Sequence, residues 1–140
     1  MPASDSGYAT DTSLAVASLD PNHSSHELSR ATAVRWRPAL CGHAAFETYS
    51  VLTRLPGAAR TTPAVANELL RLAFPERCWL KPAQQQALLG RLSILGIAGG
   101  MVYDALVGEA ARVAGRTLLT RDARAARTYE LLKVSFDLIE

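Results

Sequence analysis

Four acidic side chains stand out because each falls where folding can carry it to one place. Asp11 follows the short run Tyr8-Ala9-Thr10, and Asp122 stands two residues past Thr117-Leu118-Leu119-Thr120. In an open α/β sheet, ligands bind in the crevice outside the carboxyl ends of the strands, so both carboxylates are expected at that edge. Glu47 and Asp104 reach the same edge differently. Glu47 falls in the second turn of one expected helix and Asp104 in the first turn of another, and a crossover helix starts where its preceding strand finished. Their surroundings are mostly apolar: Ala44-Ala45-Phe46 precede Glu47, and Val102, Tyr103, Ala105 and Leu106 flank Asp104. A charge in such company needs a partner.

Four carboxylates in one crevice would repel one another and raise their own pKa values. No Lys or Arg adjoins Glu47 or Asp104 in sequence, whereas a divalent cation would neutralise the group. All-oxygen ligation suits Mg²⁺ or Mn²⁺. Such ions serve phosphoryl chemistry by activating water and offsetting transition-state charge. Singly, each acid has a plainer reading: Asp122 as a helix cap, Asp104 as an acid favoured by a helix dipole. The joint pattern carries the inference.

The elements that must position these acids read as short strands separated by helices. Expected strands are Tyr8–Thr10, Pro38–Cys41, the run Cys78-Trp79-Leu80, Thr117–Thr120 and the alternating Val134–Leu138. Helices are expected over Ser13–Leu19, from the Ser24-Ser25-His26-Glu27 capping box to Trp36, and over His43–Leu55. Others run from the Thr62 cap and Pro63 towards Pro75, from Pro82 to Gly96, over Met101–Ala114, and over Asp122–Leu132. This order implies α/β architecture, a parallel sheet with helices on both faces.

The 140 residues suit one domain, expected over residues 8–140 behind a flexible tail at 1–7. The net charge is only +2, so any nucleic-acid contact must come from a local patch rather than bulk charge. Arg121, Arg124 and Arg127 surround Asp122 and form such a candidate patch, with a solvated helix face as the alternative. The cysteines, Cys41 and Cys78, read as two buried thiols. The opening residues lack the pattern of a signal peptide and no apolar run reaches membrane-spanning length, so a soluble, cytoplasmic protein with no membrane contact is expected.

The motifs around the acids resemble those of PIN-domain nucleases. Thr10-Asp11-Thr12-Ser13-Leu14 is similar to their opening D-T-S motif, and Phe46-Glu47-Thr48-Tyr49-Ser50-Val51-Leu52 to their second acidic motif. Tyr103-Asp104-Ala105-Leu106 resembles the third, and Leu118-Leu119-Thr120-Arg121-Asp122 the fourth. The motifs run in family order over nearly the whole chain; length and closing strand resemble the VapC toxin branch. One departure is the first strand, which is usually more apolar than Gly7-Tyr8-Ala9-Thr10.

The resemblance implies a PIN-like three-layer α/β/α sandwich with a central parallel sheet. It implies Mg²⁺- or Mn²⁺-dependent hydrolysis of RNA by an acidic quartet of Asp11, Glu47, Asp104 and Asp122. Asp11, Asp104 and Asp122 are the expected direct ligands, Glu47 acts partly through water, and Ser13 and Thr120 orient them. Water is the expected nucleophile and the 3′ oxygen the leaving group, so the product carries a 5′ phosphate. The resemblance also implies a cognate VapB-like antitoxin and a homodimer. The leucine-rich helices after Thr62 and Pro82 are explained equally by core packing or by such contacts.

Other readings stay open. A non-toxin RNA-processing nuclease would carry the same acids. A metal-free binding module would not need them. A phosphatase with an aspartyl nucleophile would begin D-x-D, whereas position 13 is Ser. His23, His26 and His43 read as surface or capping residues, Tyr49 and Tyr103 as core aromatics, and Trp36 and Trp79 as core or interface.

Overall fold

A computed structural model describes residues 7–140. The expected tail falls outside these residues except for Gly7, whose carbonyl already accepts a hydrogen bond from the Thr117 N–H at 2.9 Å. The chain runs β1 (Tyr8–Thr10), α1 (Thr12–Leu19), α2 (His26–Trp36), β2 (Ala39–Cys41), α3 (Gly42–Leu52), α4 (Pro63–Ala73), β3 (Arg77–Cys78), α5 (Pro82–Leu95), α6 (Met101–Val113), β4 (Thr117–Thr120), α7 (Ala126–Leu132) and β5 (Phe136–Leu138).

The strands form one five-stranded sheet in the order β3-β2-β1-β4-β5, every neighbouring pair parallel. Parallel strands must be linked by crossovers, which cover both faces and exclude water from them. Accordingly Ala9, Thr10, Ala39, Leu40, Cys41, Leu118, Leu119 and Thr120 are all buried. Helix α6 lies across β1, β2 and β4 and packs on α5 and α7. Helix α1 packs on α2 and α3, and α3 on α4 and also on α6. The chain leaves β1 towards β2 and β3 and later returns to place β4 on β1's free side. The strand order therefore reverses between β1 and β4, and Asp11 and Asp122 follow these two strands.

Local chemistry sets most boundaries, and departures from the sequence reading have local causes. Thr62 caps α4 as expected, its Oγ1 accepting from the Val65 N–H at 3.2 Å. The capping box before α2 does not form: Ser25 makes no side-chain cap bond, and its own N–H donates to His23 Nδ1. Helix α3 stops at Leu52, where the Thr53 hydroxyl bonds back to the Tyr49 and Ser50 carbonyls. Helix α7 starts at Ala126 rather than Asp122, because the Asp122 side chain caps a turn over Arg124 and Ala125. Strand β5 starts two residues late, since Lys133 adopts a left-handed conformation and Val134 N–H returns to the Tyr129 carbonyl. Cys41 and Cys78 are buried free thiols, as expected, and face each other in register across β2 and β3.

Two glycines permit close approaches that a methyl would block. A Cβ on Gly42 would lie 2.3 Å from the Trp79 ring. One on Gly108 would lie 2.9 Å from the Tyr129 ring and 3.1 Å from Leu132, so α6 and α7 meet through that gap. Ala normally stabilises a helix interior over Gly by about 1 kcal/mol. Gly108→Ala is expected to reverse that sign, lowering the urea-unfolding free energy by about 1–3 kcal/mol through overpacking.

Candidate active site

The centre of the site is the Asp11 carboxylate, only 4% exposed at the junction of β1 and α1. Removing a carboxylate from water demands donors in return. Four are supplied. Oδ1 accepts from Ser13 Oγ at 2.6 Å and from the Leu14 N–H at 3.3 Å, which also makes Asp11 the N-cap of α1. Oδ2 accepts from the Thr120 hydroxyl and from Tyr129 Oη at 2.9 Å. Burial raises the Asp11 pKa despite the opposing effect of these bonds. The Tyr129 phenol is raised as well, by its own burial and then by the Asp11 charge, so it remains a donor.

Ser13 and Thr120 each hold two positions at once. While donating to Asp11, Ser13 Oγ accepts from the Arg121 N–H at 2.8 Å and Thr120 Oγ1 from the Asp122 N–H at 3.0 Å. The start of α1 and the end of β4 are thereby locked together, and the loop carrying Asp122 is fixed relative to Asp11. Asp122 Oδ1 accepts from the N–H groups of Arg124 (2.9 Å) and Ala125 (3.3 Å). The capping reading of Asp122 therefore holds for that oxygen, whereas no bond engages its Oδ2 among the described residues.

Glu47 and Asp104 approach from α3 and α6. Glu47 Oε1 accepts from the Thr12 hydroxyl at 3.1 Å, tying α3 to the residue after Asp11. Asp104 accepts no hydrogen bond among the described residues. Its pKa is raised to about 6, first by burial and then by the charges of Asp122, Glu47 and Asp11, with Arg124 opposing. All four acids thus share one electrostatic neighbourhood at the carboxyl ends of β1 and β4. Among the described residues no group of three or more His, Cys, Asp or Glu side chains stands close enough together to hold a metal ion as placed.

Several surrounding residues depart from expectation. His43 stacks on Tyr103 (centroids 5.3 Å apart, planes 12° off parallel) and brings Nε2 to 3.8 Å from Glu47 Oε1. Tyr103 is 52% exposed rather than core, because α6 buries Ala105, Val107, Gly108 and Ala111 instead. Tyr49, Trp36 and Trp79 are likewise exposed, Trp79 meeting Phe46 edge-on. Arg124, its side chain 98% exposed, holds Nε 4.0 Å from Asp122. Arg121 is half-buried and Arg127 exposed.

Thr12 and Tyr129 belong to the network although their sequence positions did not single them out. Adjacency to Asp11 is a signal for Thr12. The only signal for Tyr129 is Gly108, whose missing side chain makes room for it.

Asp104 ties stability to pH. Its pKa is higher folded than unfolded, so its contribution is fully present at low pH and lost as pH rises from about 4 through about 6. Without divalent metal, Asp104→Asn is expected to raise Tm at pH 8 by about 2–4 °C. At pH 4 the two proteins should melt together, which scanning calorimetry at both pH values checks.

No protein-family model matches the chain. It is, however, 42% identical over 132 residues to Ribonuclease VapC40 of Mycobacterium tuberculosis, an alignment covering 94% of this chain and 98% of that protein. It is 44% identical over 126 residues to Ribonuclease VapC27 of the same organism, covering 90% of this chain and 92% of the relative. With that identity across nearly full length, on a parallel sheet whose strand order reverses beside Asp11 and Asp122, the chain belongs to the VapC family of PIN-domain ribonucleases.

Proposed function

We propose that this protein is a metal-dependent endoribonuclease, the toxin of a toxin–antitoxin pair, hydrolysing RNA phosphodiester bonds at the Asp11–Glu47–Asp104–Asp122 cluster. The relatives' names support the ribonuclease reading. The observation that carries the metal requirement is Asp104: a carboxylate without a hydrogen-bond donor among the described residues, its pKa pushed up to about 6 by burial and three neighbouring acids. A donor set made only of carboxylate oxygens fits a hard cation, Mg²⁺ or Mn²⁺, and fits no soft one. Asp104, Asp122 and Asp11 would hold it, with Glu47 behind a water.

Bound there, such a cation supplies Lewis-acid stabilisation of phosphoryl charge and lowers the pKa of water. The chain's own groups do the rest. Asp104 and the Oδ2 of Asp122 present unshared lone pairs. Asp11, whose four donors fix its plane, would release one hydroxyl to reach a cation. Thr12 holds Glu47 where it can accept a proton from water attacking phosphorus, while the 3′ oxygen leaves. Arg121, Arg124 and Arg127 offer guanidinium groups to backbone phosphates.

A cognate VapB-like antitoxin is the proposed protein partner and a homodimer the proposed working form. Co-expression pull-down with the product of a neighbouring small reading frame tests the first, and sedimentation of the purified protein the second.

Asp11→Asn and Asp104→Asn are each expected to lower Mn²⁺-supported cleavage of RNA about a hundredfold or more. Circular dichroism should stay native in Asp104→Asn, while Asp11→Asn, which sets an NH₂ against two of the four donors, should also melt earlier. Full activity in either variant overturns the assignment. Metal and proton compete for Asp104, so Mn²⁺ affinity measured by calorimetry should fall about tenfold per pH unit below about 6. A pH-independent affinity from 7 to 5 would exclude Asp104 as a ligand.

A further inference from the structure

The loop between β4 and α7 holds a half-buried arginine, Arg121, with one shielded N–H that finds no acceptor among the described residues. The Arg121 backbone N–H is committed to Ser13, but its side-chain Nε is shielded from solvent and donates to nothing among the described residues. A buried N–H without an acceptor is costly and rare. Arg121 lines an open surface depression, a cavity of about 360 Å³, together with Thr12, Ser13, His23, Asp122 and Arg124. Its charged groups are the guanidinium ions of Arg121 and Arg124 and the Asp122 carboxylate, whose Oδ1 accepts from two backbone N–H groups. His23 adds a donor: its Nδ1 accepts from the Ser25 N–H at 3.0 Å, so the neutral ring carries its proton on Nε2. Arg127 stands outside this cavity.

We propose that this cavity is a phosphate-binding subsite that holds the RNA backbone one or two nucleotides from the bond being cut. This rests on the ribonuclease reading above and adds where the substrate lies. The two hydroxyl residues on its wall face the other way, Thr12 to Glu47 and Ser13 to Asp11, so the cavity adjoins the acids without including Glu47 or Asp104. A phosphate among the four acids needs a cation beside it. A phosphate in the cavity meets guanidinium groups directly, in charge-assisted bonds suited to planar donors. The volume exceeds one phosphate and leaves room for the attached ribose. Holding a flanking phosphate fixes the register of the chain without reading its sequence.

The test uses the oligonucleotide that the wild-type protein cleaves fastest from a random-sequence RNA pool. Each phosphate is replaced in turn by an uncharged methylphosphonate. One flanking position is expected to lower wild-type kcat/KM about ten- to a hundredfold. In Arg121→Met the same replacement should cost little more, since the contact is already gone. Arg124→Ala, at an exposed position, guards against misfolding and should share part of the loss. Equal losses in wild type and both variants at every position overturn the proposal.

A second arm reads the cavity without catalysis. Inorganic phosphate in metal-free buffer should shift the His23 ring resonances in wild type and not in Arg121→Met. No shift in wild type also overturns the proposal. A shift with no flanking-position effect means an adventitious ion only, and the RNA role falls. A shift in a protein that cleaves nothing from the pool would leave an anion pocket but end the ribonuclease reading.

Discussion

The structure is organised around one requirement: the Asp11 carboxylate, removed from water, must be surrounded by donors. Meeting it takes four donors from three parts of the chain, Ser13 and Leu14 at the start of α1, Thr120 at the end of β4, and Tyr129 in α7. Because a buried donor or acceptor left unmade costs more than a bond gains, these parts cannot drift independently. The pairing of β1 with β4 sets Asp11 beside Thr120, and the two hydroxyls pass the constraint to the backbone of Arg121 and Asp122. A buried polar network satisfied in this way specifies a single arrangement of the sheet edge.

The same edge carries an electrostatic liability. Burial first and then three acids raise the pKa of Asp104, and the opposing charge comes from Arg124, an exposed side chain of high entropy. Elsewhere the chain pairs its charges closely. Glu109, buried in α6, receives guanidinium donors from Arg91 and Arg112, and Glu76 meets Arg116 at 3.1 Å. The contrast is informative: pairing is available in this fold, and at the sheet edge it is withheld from Asp104. Unfavourable local arrangements of this kind persist where a site needs them and the surrounding structure supports them.

How much of this can be read from the sequence depends on the range of the interaction. Strand and helix order followed from local patterning, as did the placement of Asp11 and Asp122 after their strands. Ser13 lies within two residues of Asp11, so its orienting contact is local. Tyr129 is more than a hundred positions away from Asp11, and its approach depends on the absent side chain of Gly108; no local pattern encodes that contact. The exposure of Tyr103, which its sequence context marks as a core aromatic, has a related cause. Tyr103 has the composition of a core residue, but small residues such as Ala105, Gly108 and Ala111 suffice on the buried face of α6, and its ring is left outside. The capping-box pattern before α2 failed because the helix begins one residue later than the pattern requires: its cap is Ser25, which puts Leu28 rather than Glu27 three residues on.

Trp79 lies flat enough against the backbone of Gly42 to exclude a methyl group, and Gly42 opens the helix that carries Glu47. The other indole, Trp36, sits beside Tyr8 and beneath the Arg35 guanidinium. The protein therefore contains its own optical gauge of α3. Movement of that helix changes the polarity around one tryptophan while the second, in a separate setting, serves as an internal reference, so its motions are open to fluorescence without any attached dye.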